Sequence, residues 1–258
     1  MVSSQHCVLI GGLNRIGCVP SIDDHIVQIA RDHNYREHRQ LKALHIGVCN
    51  GDAQKDEVEF DETYGRRGCA VSHARIWRNP EAMKNINSLE LNIIYLSGGN
   101  PLASSEYERH APKELSIYEL LKKAHDAGVI VVGNSAGAII LGRYYTHLER
   151  DIESAKVYKT LSIVENAACF AHFEEYPREY GKKQGREVTP EEFLQTVHPV
   201  IKRKSRKKDL YTFGLWTDSA LEISWTGEKS SQTCTARSIG EREVMYMNGN
   251  PKPSFVKR

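Results

Sequence analysis

Residues 129–140, Val-Ile-Val-Val-Gly-Asn-Ser-Ala-Gly-Ala-Ile-Ile, leave the chain few ways to fold. The unbroken β-branched run Val129 to Val132 is what a strand buried on both faces requires, and such strands belong to parallel sheets. Gly133 stops the run, and Ser135, next to Asn134, stands before the small residues that open a second apolar run. Gly133-Asn134-Ser135-Ala136-Gly137 matches the Gly-x-Ser-x-Gly turn that lifts a serine oxygen clear of a sheet. The helix that follows would present unpaired N–H groups behind Ser135, a ready electrostatic partner for an oxyanion. The same small residues would also let a helix pack closely on a strand with no chemistry attached.

The surrounding chain repeats the strand–helix alternation. Residues 7–10 read as a first strand closing on Gly11-Gly12, and Pro20-Ser21 opens a helix with Ser21 as its cap and Ile22, Ile26 and Ile29 on one face. Strands are expected at 44–49, 69–76 and 92–97, the last running into Gly98-Gly99-Asn100-Pro101, with helices at 57–64 and 113–127. Beyond residue 200 the pattern becomes short strands with turns between them (220–225, 233–239 and 243–248), read as an antiparallel edge. The expected fold is an α/β, three-layer α/β/α sandwich, its sheet mostly parallel with antiparallel C-terminal edge strands, over a single domain of residues 1–258.

Composition narrows function mainly by exclusion. A net charge of +2 makes no general case for nucleic acid, and the basic cluster 202–208 reads as a solvated loop. No apolar run reaches the roughly 20 residues of a membrane span. The N-terminus lacks the charged start and apolar stretch of a signal peptide, and the six cysteines have no CxxC spacing, so free thiols and a cytoplasmic location are expected. No metal or other cofactor is expected. The expected partners are a small peptide substrate and at most a second copy of the chain.

A serine hydroxyl needs a base and a group that orients the base. Of eleven histidines, His172 is singled out because the small apolar stretch 167–171 delivers it into an acidic, aromatic segment, as a strand ending at a catalytic edge would. His147 is expected to be carried away from that edge by the helix after the elbow.

These stretches together resemble the serine peptidases typified by aspartyl dipeptidase and cyanophycinase, which share a fold with class I glutamine amidotransferases. The resemblance runs through Gly11-Gly12, residues 64–71, Tyr95-Leu96-Ser97-Gly98-Gly99-Asn100, the elbow at 133–138, and Cys169-Phe170-Ala171-His172-Phe173 with Arg178 downstream. It implies Ser135 as nucleophile, His172 as base, and Gly99 and Ala136 as oxyanion donors. It further implies substrate contacts from Asn100 and Arg178, the latter gripping an aspartyl carboxylate. The triad acid is taken as Asp218, with Asp151 and Glu174 as rivals, and residues 182–208 look longer than the family's equivalent. The activity expected is hydrolysis of small peptides at aspartyl-containing bonds. An esterase and a catalytically silent binding protein on the same scaffold are the competing readings.

Overall fold

The computed structural model describes residues 4–13, 15–34, 40–147, 152–227, 233–248, 250 and 252–258. In chain order its elements are β1 (Gln5–Ile10), α1 (Pro20–Asn34), β2 (Lys42–Ile46), α2 (Gln54–Phe60), β3 (Ala70–Ala74), β4 (Ile93–Leu96), α3 (Pro101–His110), α4 (Ile117–Asp126), β5 (Ile130–Asn134), α5 (Ala136–Leu141), β6 (Tyr144–His147) and β7 (Lys156–Lys159). There follow β8 (Ala167–Ala171), α6 (Glu175–Gln184), α7 (Pro190–Ser205), β9 (Tyr211–Leu215), β10 (Ser219–Thr226), β11 (Thr233–Gly240), β12 (Met245–Met247) and β13 (Ser254–Phe255). The result is the expected mixed α/β architecture, mostly parallel at its centre.

The strands form two sheets where one was expected. The first has the order β11-β10-β1-β5-β4-β2-β3 and the second β13-β12-β9-β8-β6-β7. In the first, β1, β5, β4, β2 and β3 run parallel, and β10 with β11 adds an antiparallel hairpin beside β1. The second keeps β6, β8 and β9 parallel and borders them with antiparallel strands. The C-terminal strands therefore divide: β10 and β11 edge the first sheet as expected, while β12 pairs with β9 in the second.

Alternation along β1 shows how both faces are filled. Val8 and Ile10 join Ile22 and Ile26 of α1 in one apolar cluster. Cys7 and Leu9 join a second that also holds Leu121 and Ala124 of α4, Ala138 and Ile140 of α5, and Cys169, Phe213 and Leu215 of the other sheet. The outer face of the second sheet is closed by α7, whose Phe193, Leu194, Val197 and Ile201 pack with Phe170 and Phe173. The basic cluster proves to be mainly the last turn of α7, with Lys202, Arg203 and Lys204 beside the carbonyl end of the helix dipole, and not a loop. The segment 182–208 is thus largely structural. Ser21 lies inside the first turn of α1, which begins at Pro20. Helix α3, which the sequence reading passed over, is capped by the Asn100 side chain accepting from the Leu102 amide.

The antiparallel hairpin is tied to the sheet through Glu222 of β10. Its carboxylate accepts from His6 of β1 at 2.8 Å and from His25 of α1 at 2.9 Å. Burial pushes this carboxyl up, and the two imidazoles outweigh it, leaving a pKa of about 2. A carboxyl depressed in the folded state stabilises above its unfolded value of about 4.3, and that contribution disappears as pH falls from there toward 2. Glu222→Gln should therefore lower the melting temperature at pH 5–6, by a stability difference on the order of 2 kcal/mol, and by much less at pH 2.5. Equal gaps between wild type and variant at both pH values would contradict the assignment.

Candidate active site

Ser135, His172 and Thr217 follow β5, β8 and β9 respectively, so they meet where the carboxyl ends of strands from both sheets converge. Ser135 sits at φ 53°, ψ −115°, between the strand and the six-residue α5. For a residue with a Cβ this is a costly conformation, on the order of 1–3 kcal/mol, held by its surroundings. The Ser135 amide donates to the Ile10 carbonyl at 3.0 Å. A side chain on Gly133 would overlap the Gly137 backbone at 2.5 Å, so only glycine lets α5 fold back so closely on β5.

The Ser135 hydroxyl and His172 Nε2 are 3.0 Å apart. On its other side, His172 Nδ1 lies 3.1 Å from the Thr217 hydroxyl oxygen. His172 itself adopts positive φ (52°), and its amide donates to Gly11 while that of Phe173 donates to Leu215. Gly12 completes the seat. At φ 137° it has no side chain to offer, and a Cβ there would come within 2.1 Å of the imidazole Cε1. The Gly11-Gly12 pair thus serves the base, a role that sequence reading did not give it.

Four residues lie elsewhere than the sequence reading placed them. Asp218 does not reach the imidazole: its carboxylate lies beside Cys18 Sγ at 3.9 Å, and position 218 contributes its backbone amide to the Gly12 carbonyl. The side chain one residue earlier, Thr217, occupies the place beside Nδ1. Glu174, the rival acid, stands behind it: Glu174 Oε2 accepts from the Thr217 amide at 3.1 Å. Burial pushes the Glu174 carboxyl up, but its hydrogen bonding with Thr217 and the nearby imidazole more than offset it, so the group titrates below its ordinary value. Asp151, the other rival, lies outside the described residues.

Asn100 caps α3 with its side-chain oxygen and is not among the residues that border the cleft. Arg178 is exposed on α6 and pairs with Glu179 at 3.6 Å without entering the cleft. His147, expected to be remote, lines the cleft instead, because α5 is so short that the chain returns at once as β6.

The cleft has a volume of about 420 Å³ and is bordered by Ser135, His172, Gly99 and Ala136. The loop carrying Gly99 is fixed by the Asn100 amide donating to Cys49 at 2.7 Å. A hydroxyl and an imidazole within hydrogen-bonding distance on one cavity are the nucleophile–base pair that acyl transfer uses. Among the described residues, no group of three or more His, Cys, Asp and Glu side chains is placed to hold a metal ion. No helix among them is long and apolar enough to cross a membrane.

Comparison with known proteins agrees with the class that this arrangement defines. The profile of peptidase family S51 matches residues 23–211, and the chain belongs to that family. It is 27% identical over 119 residues to the uncharacterized peptidase YgaJ of Bacillus subtilis (strain 168). That match takes in 46% of this chain and 47% of YgaJ, so it spans about half the length of this curated relative. In three dimensions the chain is similar to the crystal structure of a peptidase from an acI-B1 Actinobacterium, with a TM-score of 0.65 over 98% of this chain and 96% of that one, at 16% identity. At that identity the likeness speaks to the fold alone.

Proposed function

We propose that the chain is a serine peptidase that hydrolyses short peptides, with Ser135 as nucleophile and His172 as general base. One observation carries the reading: a strained serine at a strand–helix elbow, its hydroxyl 3.0 Å from an imidazole Nε2. With the Nδ1 proton donated to Thr217, Nε2 is free to take the hydroxyl proton as Oγ attacks the scissile carbonyl. The tetrahedral oxyanion is held by the amides of Gly99 and Ala136. As the C–N bond breaks, the imidazolium returns its proton to the leaving amine. Water, deprotonated by the same imidazole, then opens the acyl-enzyme and regenerates the hydroxyl. Because its parts come from both sheets, the chain acts as one catalytic unit.

The reading gives Thr217 and Glu174 the positioning role that a carboxylate usually fills directly. Glu174, kept ionised, polarises the Thr217 hydroxyl, and that hydroxyl holds the imidazole. Thr217→Val should lower kcat/KM by roughly 10²-fold, well short of the ~10⁴ measured where an acid touches the imidazole itself. Glu174→Gln should do less, lowering kcat with KM little changed, because the carboxylate reaches the imidazole through Thr217. A raised KM with unchanged kcat would leave Glu174 with a structural part only.

The resemblance to aspartyl dipeptidases implies aspartyl-containing bonds as substrate, although Arg178, expected to hold that carboxylate, faces Glu179 instead. The test of the reading is labelling with a serine-directed fluorophosphonate, followed by peptide mapping, alongside turnover of a dipeptide panel. Modification at Ser135 with matching loss of turnover supports it. Labelling elsewhere, or none, removes it.

A further inference from the structure

The floor and the rim of the cleft differ in chemistry. Side chains at its base are apolar and almost wholly buried: Ile139 is 6% exposed, Ile152 3% and Ala171 2%. Above them stand three half-buried aromatic rings, Tyr145 of β6 and Tyr176 and Tyr180 of α6. The charged residues that border the cavity, Glu175, Glu179 and Lys183, together with His147, are all exposed at its mouth.

The rings are held from behind. Tyr176 meets Phe170 edge-on at 4.9 Å and Phe193 at 5.9 Å, Tyr180 meets Phe193 at 6.0 Å, and Tyr145 stacks on Tyr158 at 6.0 Å. Burial pushes the phenols of Tyr176 and Tyr145 up, so these walls remain uncharged at any physiological pH. A preformed aromatic wall loses little freedom when a ligand enters, and it offers faces and edges to another ring. A carboxylate carried to the same depth would leave water with no cation among the described floor residues to receive it, an unfavourable exchange.

We propose that this floor receives an apolar or aromatic side chain flanking the scissile bond, so that the preferred substrates are short peptides with Phe, Tyr or Leu at that position. This rests on the serine-peptidase reading and specifies its substrate class, departing from the aspartyl specificity that the family resemblance implies. Residues Tyr145, Tyr176 and Tyr180 determine the specificity, and Ile139 and Ile152 set the depth.

The experiment uses two forms of the whole chain. With wild-type protein, kcat/KM is measured for Phe-Ala, Leu-Ala, Ala-Ala and Asp-Ala. With Ser135→Ala, the dissociation constants of the same dipeptides are measured by titration calorimetry. Phe-Ala and Leu-Ala should surpass Asp-Ala by tenfold or more in kcat/KM and have dissociation constants at least tenfold smaller, and Tyr180→Ala should lower kcat/KM and weaken binding for Phe-Ala while sparing Ala-Ala. Should Tyr180→Ala fail to fold, Tyr145→Ala serves in its place. Asp-Ala equal to or better than Phe-Ala in the binding readout overturns the specificity. Apolar preference in binding without any peptide turnover overturns the peptidase reading while upholding the pocket's selectivity.

Discussion

Replacing Ser135 by Ala should reduce peptide hydrolysis by about 10⁴ to 10⁶ in kcat, with little change in substrate affinity. The hydroxyl supplies the electron pair that forms the acyl bond, and no other hydroxyl among the described residues lies against the imidazole Nε2. His172→Ala should cost nearly as much, since an unassisted hydroxyl at neutral pH is a weak nucleophile. The double variant should be scarcely worse than either alone, because nucleophile and base act as a unit. Steady-state rates for the three proteins, checked for folding by circular dichroism, decide the matter. Multiplying losses in the double variant would mean that the two groups act independently and that the 3.0 Å hydrogen bond has no catalytic meaning.

The second large effect is expected from a residue that touches no substrate. Gly12→Ala leaves Ser135, His172, Thr217 and Glu174 in place, yet the new methyl group would occupy space now filled by the imidazole, with Cε1 at 2.1 Å and Nε2 at 2.4 Å. Backbone cannot make room cheaply. The Gly12 carbonyl accepts from the Asp218 amide at 3.0 Å, and the next amide, that of Leu13, donates to Asn134 at 3.1 Å. The ring must therefore rotate out. A displacement of about an ångström from a reacting atom costs on the order of 10² in rate, and expulsion of the base costs more. The expected outcome is a fall of 10²-fold or more in kcat/KM, together with loss of fluorophosphonate labelling at Ser135. Wild-type activity in Gly12→Ala would show that His172 is not held where it is drawn.

Legibility in the sequence followed the range of each interaction. The parallel strands and the elbow were readable because β-branched runs and a Gly-x-Ser-x-Gly turn are local signals. For the same reason Ser135 and His172 could be named: each comes directly after a short buried strand. The second sheet was not readable, since its strands β6 and β7 are short and half exposed, and pairing of β12 with β9 is a long-range choice. Thr217 was missed because a threonine ahead of an aspartate carries no local mark. Only the direction of the turn after β9 decides which of the two faces the imidazole. Arg178 failed as a cleft residue for a similar reason, helix phase: Glu175, Glu179 and Lys183 share the inward side of α6 at intervals of four, and position 178 does not. Gly12 was visible as a glycine, but its purpose depends on a ring contributed from far along the chain.

Nucleophile and base stand on different sheets, with Ser135 after β5 and His172 after β8. Their separation is thus a gauge of how well the two sheets stay in alignment. Gentle heating or mild denaturant that lets one sheet slip by an ångström should silence the enzyme while both sheets keep their hydrogen-bond ladders. Inactivation should accordingly run ahead of the loss of circular dichroism, and catalysis would then report on the docking of the sheets more sensitively than spectroscopy does.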